Sequence, residues 1–410
     1  MDGQSARPIA ITIPTEIWLR ICELSGERLT ALAEVWIKEG GRVLRLVKEL
    51  QVGEIGVHVA CRGIGQCVPP MHSNGMQTMQ DNLAKMNNLT RLTINATTLT
   101  SEMMREIAQM ENLRGLTLQQ VCIIETQDES VKGVLLLAHL RLLDTRWHGP
   151  NNENGLIRAC KDLQTLQFTW DRSRIRLVER GEKWWNESCQ SVKVYSRRSS
   201  WSRAGRELDA ERQTFVDVLR AFKGARTLHI EGWVPVFKDG DASNERLSIA
   251  ITHFEGPVRF LKFSRRLPNL RIVKLSDHGL VRGEVNELDL QLAKVKRLEV
   301  KVYASDKETL CVMLAVMKDL RELKVKFCDD VNEPNELLGS IADMLDFNPP
   351  IERLWVTADD PFVDDINHQH LRTFEALCRE LKEISIGDRR WKTKQGFWIE
   401  EMDIPSNRSN

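Results

Sequence analysis

No run in this chain approaches about 18 consecutive apolar residues, so a membrane-spanning helix is not expected. Net charge is missing as well. The 58 Lys and Arg balance 58 Asp and Glu, and the pI is near 7.1, which argues against a dedicated nucleic-acid binder or an acidic-membrane ligand. The nine cysteines include no C-x-x-C pair, and Cys160, Cys311 and Cys378 sit in apolar runs. Reduced, buried thiols of a cytoplasmic or nuclear protein fit this usage better than a disulfide framework. The opening MDGQSARPIAITIPTEIW has no basic segment leading into a long apolar core, so no secretory leader is expected. No G-x-S-x-G elbow, H-E-x-x-H pair, P-loop or kinase signature occurs, and the reading is non-catalytic, with no cofactor and no metal.

What the chain does have is one phrase repeated. In DLRELKV, Asp319–Val325, the residues Leu320, Leu323 and Val325 follow apolar-x-x-apolar-x-apolar, the mark of a short strand with alternate residues buried. The phrase returns at Leu89/Leu92/Ile94, Leu113/Leu116/Leu118, Leu140/Leu143/Thr145, Leu163/Leu166/Phe168, Cys189/Val192/Val194 and Ala225/Leu228/Ile230. It continues at Leu270/Val273/Leu275, Val295/Leu298/Val300, Ile351/Leu354/Val356 and Leu381/Ile384/Ile386. Most of these starts fall roughly 23 to 31 residues apart, the length of one strand and one crossover.

The chain therefore resembles a leucine-rich-repeat protein from about Asn88 to Asp388. The resemblance implies an α/β fold, an irregular solenoid of parallel strands with helical crossovers. It departs from the pattern where Asn or Cys is usual, eight residues after the first Leu: here stand Thr97, Val121, His148, Asp171, His278 and Tyr303, and only once Cys328. Crossover helices are expected at Met76–Met86, Ser101–Met110 with Ser101 as cap, Val134–His139, Gly155–Cys160, Arg212–Phe222, Lys307–Met317, Glu336–Leu345 and His370–Glu380. Val47, Leu50 and Val52 repeat the phrase faintly, as a first strand.

Before the repeats, Ile13-Pro14-Thr15-Glu16-Ile17-Trp18 leads to Ile21 and Leu24, with Pro14 suited to a first helical turn and Ile17, Ile21 and Leu24 on one face. This opening resembles an F-box, and an F-box followed by such repeats resembles the fungal type of F-box/leucine-rich-repeat protein. The second half departs from the motif: Leu29, Leu32, Val35 and Trp36 follow closely, and Gly40-Gly41 interrupts the third helix. The resemblance implies a substrate receptor of an SCF-type ubiquitin ligase. Pro14, Glu16, Ile17, Trp18, Ile21 and Leu24 would bind the Skp-family linker and, through it, the cullin-based ligase core. The alternatives are a helical cap over the first repeat and a repeat scaffold without ligase association. The domain layout expected is an F-box-like segment at 1–45, a connection and first cap at 46–87, the solenoid at 88–390 with inserts near 171–212 and 233–268, and a tail at 391–410.

Three other stretches invite chemistry. His58, Cys61, Cys67 and His72 share a Gly- and Pro-rich connection, but C-x5-C matches no common zinc module. Asp364, Asp365, His368 and His370 are read as acidic and polar residues opening a helix rather than as metal ligands. The Arg- and Trp-rich insert after Asp171 reads either as a solvated flank or as a nucleic-acid or phosphate contact, and SRRSSWSR within it as a kinase substrate.

In a horseshoe of parallel strands the residues between the ladder positions line the concave surface, where a partner is expected to bind. From Asn269 onward these include Lys274, Arg297, Lys301, Lys324, Lys326, Arg353 and Trp355, with Glu299 and Glu322 among them. One reading is a basic column for an acidic or phosphorylated protein, with Trp355 as apolar anchor. The other is a soluble strand face whose glutamates neutralise their neighbours.

Overall fold

A computed structural model describes residues 49–53, 88–95, 98–124, 135–148, 156–157, 160–170, 188–196, 211, 213–219, 222–232, 250–261, 267, 269–276, 290–328, 334–346, 350–358 and 366–401. The chain divides into two compact units, Met1–Lys161 and Asp162–Asn410.

In the first unit the strands β1 (Glu49–Gly53), β2 (Arg91–Asn95), β4 (Gly115–Gln119) and β6 (His139–Leu143) run parallel in that order. Leu92, Leu116 and Leu140 lie in one register row, Ile94, Leu118 and Leu142 in the next, and all six are buried. Three-residue strands β3 (Thr98–Thr100), β5 (Cys122–Ile124) and β7 (Arg146–His148) form a second small parallel sheet. Helix α1 (Ser101–Ala108) follows β3. Its cap is Thr100 rather than Ser101: the Thr100 hydroxyl accepts from the Met103 amide at 3.4 Å.

Two expectations change here. The third repeat is framed by Leu137, Leu140 and Leu142, three residues earlier than the phrase Leu140/Leu143/Thr145 suggests. LLLAHLRLL supplies leucine in both frames, and pairing with Leu116 and Leu118 selects the earlier one. The helix expected at Val134–His139 gives way to extended chain, since Leu135 bridges Cys160 and His139 opens β6.

The second unit carries nine parallel strands in sequence order: β8 (Thr165–Trp170), β9 (Ser191–Ser196), β10 (Thr227–Gly232), β11 (His253–Gly256), β12 (Ile272–Leu275), β13 (Arg297–Val302), β14 (Glu322–Phe327), β15 (Arg353–Ala358) and β16 (Glu383–Ile386). Alternate residues of each are buried, and each fully buried aliphatic or aromatic side chain contributes about 1.5–3 kcal/mol. One backbone device sets the step between strands. The carbonyl of Gln164 accepts from Gln190 and Ser191, that of Gln190 from Arg226 and Thr227, and that of Arg226 from Thr252 and His253. The same two-donor acceptance recurs at Thr252, Arg271, Lys296, Arg321 and Glu352. Each such carbonyl sits one residue after the first apolar position of its repeat. Strand order, register and burial together make this a leucine-rich-repeat fold.

Strand β11 lies inside the stretch near 233–268 that the sequence presents as an insert. Its phrase is Ile251/Phe254/Gly256, with glycine where an aliphatic residue is usual. A short helix α2 (Val258–Leu261) follows it, and the later crossovers are α3 (Lys307–Val316), α4 (Pro334–Asp346) and α5 (His368–Leu377). Helical residues 213–219 fill the crossover expected at Arg212–Phe222. The tail expected from 391 carries structure instead: β17 (Arg389–Lys394) and β18 (Phe397–Glu401) extend the sheet as an antiparallel hairpin. Trp391 and Trp398 of the hairpin are buried, and the Trp398 indole donates to Glu375 of α5 at 3.2 Å.

Candidate functional site

The unburied side chains of β8–β16 share one face of the sheet, and their register sets them in rows. One row reads Gln167, Lys193, His229, Glu255, Lys274, Glu299, Lys324, Trp355 and Ser385. Strands about 4.8 Å apart bring neighbouring side chains within reach, and charges of opposite sign alternate along much of the row. His229 Nδ1 lies 3.4 Å from Glu255, Lys274 bridges Glu255 at 2.9 Å and Glu299 at 3.7 Å, and Lys324 meets Glu299 at 3.7 Å. A parallel row runs Arg297, Glu322, Arg353 and Glu383; Glu322 pairs with both arginines, and Glu383, nearly buried, pairs with Arg390 of the hairpin at 2.7 Å.

A third row pairs Lys301 with Lys326 in register. Lys301 makes no ion pair among the described residues, and it lies opposite Lys326 near the carboxyl ends of β13 and β14. The structure thus brings Lys274, Arg297, Lys301, Lys324, Lys326, Arg353 and Trp355 onto one face of four adjacent strands. It divides the expected single basic column into two rows of alternating sign and one basic pair. Across β11–β15 that face carries six Lys and Arg against three glutamates.

Each end of the array has a cation over an aromatic ring. Lys193 lies 4.7 Å from the Tyr195 centroid and Arg353 lies 5.9 Å from that of Trp355. Lys193, Tyr195, His229, His253 and Glu255 belong to this surface although the sequence reading placed its charged part only from Asn269 onward. The signal was present in SVKVY and TLHIE, which carry the same alternation as the later strands.

Electrostatics on this face follow from the pairing. The hydrogen bond to Glu255 raises the Lys274 ammonium above its ordinary value. Burial works to raise the Glu255 carboxyl, but the Lys274 hydrogen bond and the charge of His229 hold it below the usual carboxylate range. Burial dominates at both imidazoles and lowers them, with Glu255 opposing at each; Lys193, Lys274 and Arg297 assist the lowering. An imidazole with a lowered folded-state pKa takes its proton first in the unfolded chain. Acidification below the ordinary 6.5 therefore favours unfolding, until the lower folded-state value is passed. We expect urea midpoints to fall between about pH 7.5 and about pH 5.5, and the fall to shrink in a His229→Gln/His253→Gln chain. An equal fall in both chains would remove these imidazoles as its source.

Of the described cysteines, Cys122 and Cys328 are partly exposed and the other four are sealed in the core. Cys160, Cys189, Cys311 and Cys378 are buried, and burial pushes the Cys160 thiol up to about 12 and that of Cys189 to about 11. Among the described residues no group of three or more His, Cys, Asp or Glu is placed to hold a metal, and no helix is long and apolar enough to cross a membrane. His370 has a local task instead: with Asn367 it forms the capping box of α5. The linker-binding candidates Pro14, Glu16, Ile17, Trp18, Ile21 and Leu24 lie outside the described residues, as do His58, Cys61, Cys67, His72, Asp364, Asp365 and nearly all of the Arg- and Trp-rich insert.

No family model matches this chain. No curated protein matches it either. Among solved structures it is similar to the TLR13-ssRNA13 complex, at 14% identity and TM-score 0.46 over 73% of this chain and 43% of that one. It is also similar to the plant peptide hormone receptor RGFR1 in complex with RGF2, at 12% identity and TM-score 0.24 over 83% and 54%. The chain thus spans about half the length of these proteins, or less. Its fold assignment stands on its own strand register.

Proposed function

We propose that this chain is a non-catalytic repeat scaffold that binds another protein on the unburied, concave face of its parallel sheet, and that it serves as the substrate receptor of an SCF-type ubiquitin ligase. The observation that supports binding is the ordered unburied face itself. Its charges are held by cross-strand ion pairs, so little side-chain freedom remains to be lost on association. Tyr195 and Trp355, each beside a cation, are of the residue types that anchor interfaces. The excess of cations over carboxylates on β11–β15 suits an acidic or phosphorylated protein, with Lys301 as a first contact and Arg353 able to hold a carboxylate or phosphate in a fork.

The ligase assignment rests on the F-box-like phrase at Pro14–Leu24. An apolar helical face carrying Ile17, Ile21 and Leu24 would lie in a groove of the Skp-family linker, and the chain would hold its substrate near the conjugating enzyme. Full-length chain is expected to retain purified linker in a pull-down, and Ile17→Asp with Ile21→Asp to abolish retention. If the unaltered chain retained no linker, or the double variant retained it equally, the chain would be a repeat scaffold without ligase association.

A further inference from the structure

Strand β18 is the outer strand of the hairpin. Among the described residues nothing pairs with the far edge of β18. Sheet edges are ordinarily blunted by lysine, proline, bulges or a covering segment. Strand β18, Phe-Trp-Ile-Glu-Glu, has neither proline nor lysine, its two glutamates are paired with Arg389, Arg390 and Lys392 of β17, and its regular pairing with β17 shows no bulge. Phe397 is 70% exposed and Ile399 44%, on the same face, while Trp398 between them is buried.

The turn fixes which backbone groups point outward. Gln395 (φ 53°) and Gly396 (φ 80°) make a two-residue loop with both central residues left-handed, so Lys394 and Phe397 form a hydrogen-bonded pair. Alternation then commits Phe397, Ile399 and Glu401 to β17 and leaves the N–H and C=O of Trp398 and Glu400 aimed at the open edge. Thr393 agrees with this parity, since its amide turns the other way and donates to Lys382 at 2.9 Å.

We infer that β18 pairs antiparallel with β18 of a second copy of this chain, about a two-fold axis through Ile399. In that register Trp398 and Glu400 face their counterparts as two hydrogen-bonded pairs, and every outward backbone group is satisfied. The two Ile399 residues then form a non-hydrogen-bonded pair, the closer kind, with Cα atoms about 4.5 Å apart. Phe397 lies diagonal to the opposite Ile399, so four apolar side chains make one continuous stripe. Glu401 stays with its own Lys392, at 2.8 Å, and with Arg390, and faces the ring of Phe397 rather than another carboxylate. Centring the pair on Glu400 instead would set carboxylates against each other, which disfavours that register. An edge of five residues buries less than a standard interface, so dissociation on the order of micromolar or weaker is expected.

Sedimentation velocity of the full chain over about a hundredfold range of concentration should show a monomer–dimer equilibrium. Ile399→Lys should hold the chain monomeric throughout, with an unchanged thermal melt because the side chain is half exposed. Under mild oxidation Ile399→Cys should give a disulfide-linked dimer that neither the unaltered chain nor Phe397→Cys forms, since position 397 faces 401. A chain monomeric at every concentration would overturn the inference, leaving the edge to some other segment or partner. A dimer that survives Ile399→Lys, or fails to cross-link through residue 399, would overturn it as well.

Discussion

Replacing Phe260 by alanine should destabilise the second unit by about 3–5 kcal/mol and move its thermal midpoint by on the order of 10 °C. Phe260 is completely buried in α2 and touches two other rings. It stacks on Phe254 of β11 at 5.3 Å, and its edge meets Phe215 at 6.4 Å. Phe215 in turn meets Trp170 of β8 edge-on at 4.9 Å. These four side chains join the strand β8, the helical run 213–219 and the β11–α2 corner. Removing the middle ring leaves a cavity with aromatic walls that cannot close without moving two strands. The check is a urea titration of the purified variant. Alanine at Val312, 37% exposed on α3, serves as comparison and should cost well under 1 kcal/mol. Similar midpoints for the two variants would mean that the ring cluster does not hold the unit together.

The ladder was legible because burial imposes its own period. Wherever one face of a strand is sealed, alternate positions must be aliphatic, and ten of the eleven phrases fall in the frame that the register uses. The exception, Leu140/Leu143/Thr145, fails where leucines in two frames make the local signal degenerate; only the pairing to β4 resolves it. The three-residue strands β3, β5 and β7 are too short to show any period. The hairpin was passed over although its pattern is visible: Gln395-Gly396 separates two alternating runs. The seven candidate face residues were legible as outward positions. Their pairing was not, because the alternation of Lys274, Glu299 and Lys324 exists only across strands and depends on a register that no single repeat reveals.

Gly256→Val should lower stability by about 1–3 kcal/mol, although it restores the aliphatic residue that the repeat phrase calls for. Glycine here is the reason β11 is hard to see in the sequence, and its backbone is not in the left-handed region, so conformational freedom does not explain it. Space does. A Cβ at position 256 would come within 2.7 Å of the Phe254 ring tip, 3.1 Å of the Ile230 carbonyl and 3.2 Å of the Ile230 Cβ. The ring cannot swing aside, because it is stacked on Phe260 at an interplanar angle of 16°. The aromatic ring of Phe254 has therefore taken the volume that the ladder position normally fills, and the two residues should behave as one unit. Phe254→Leu alone should cost stability through the cavity it opens, Gly256→Val alone through crowding, and the double variant less than their sum by at least about 0.5 kcal/mol. Denaturant midpoints of the four chains measure this coupling. Strict additivity would show that the neighbouring carbonyl of Ile230, rather than the ring, keeps glycine at this step of the ladder.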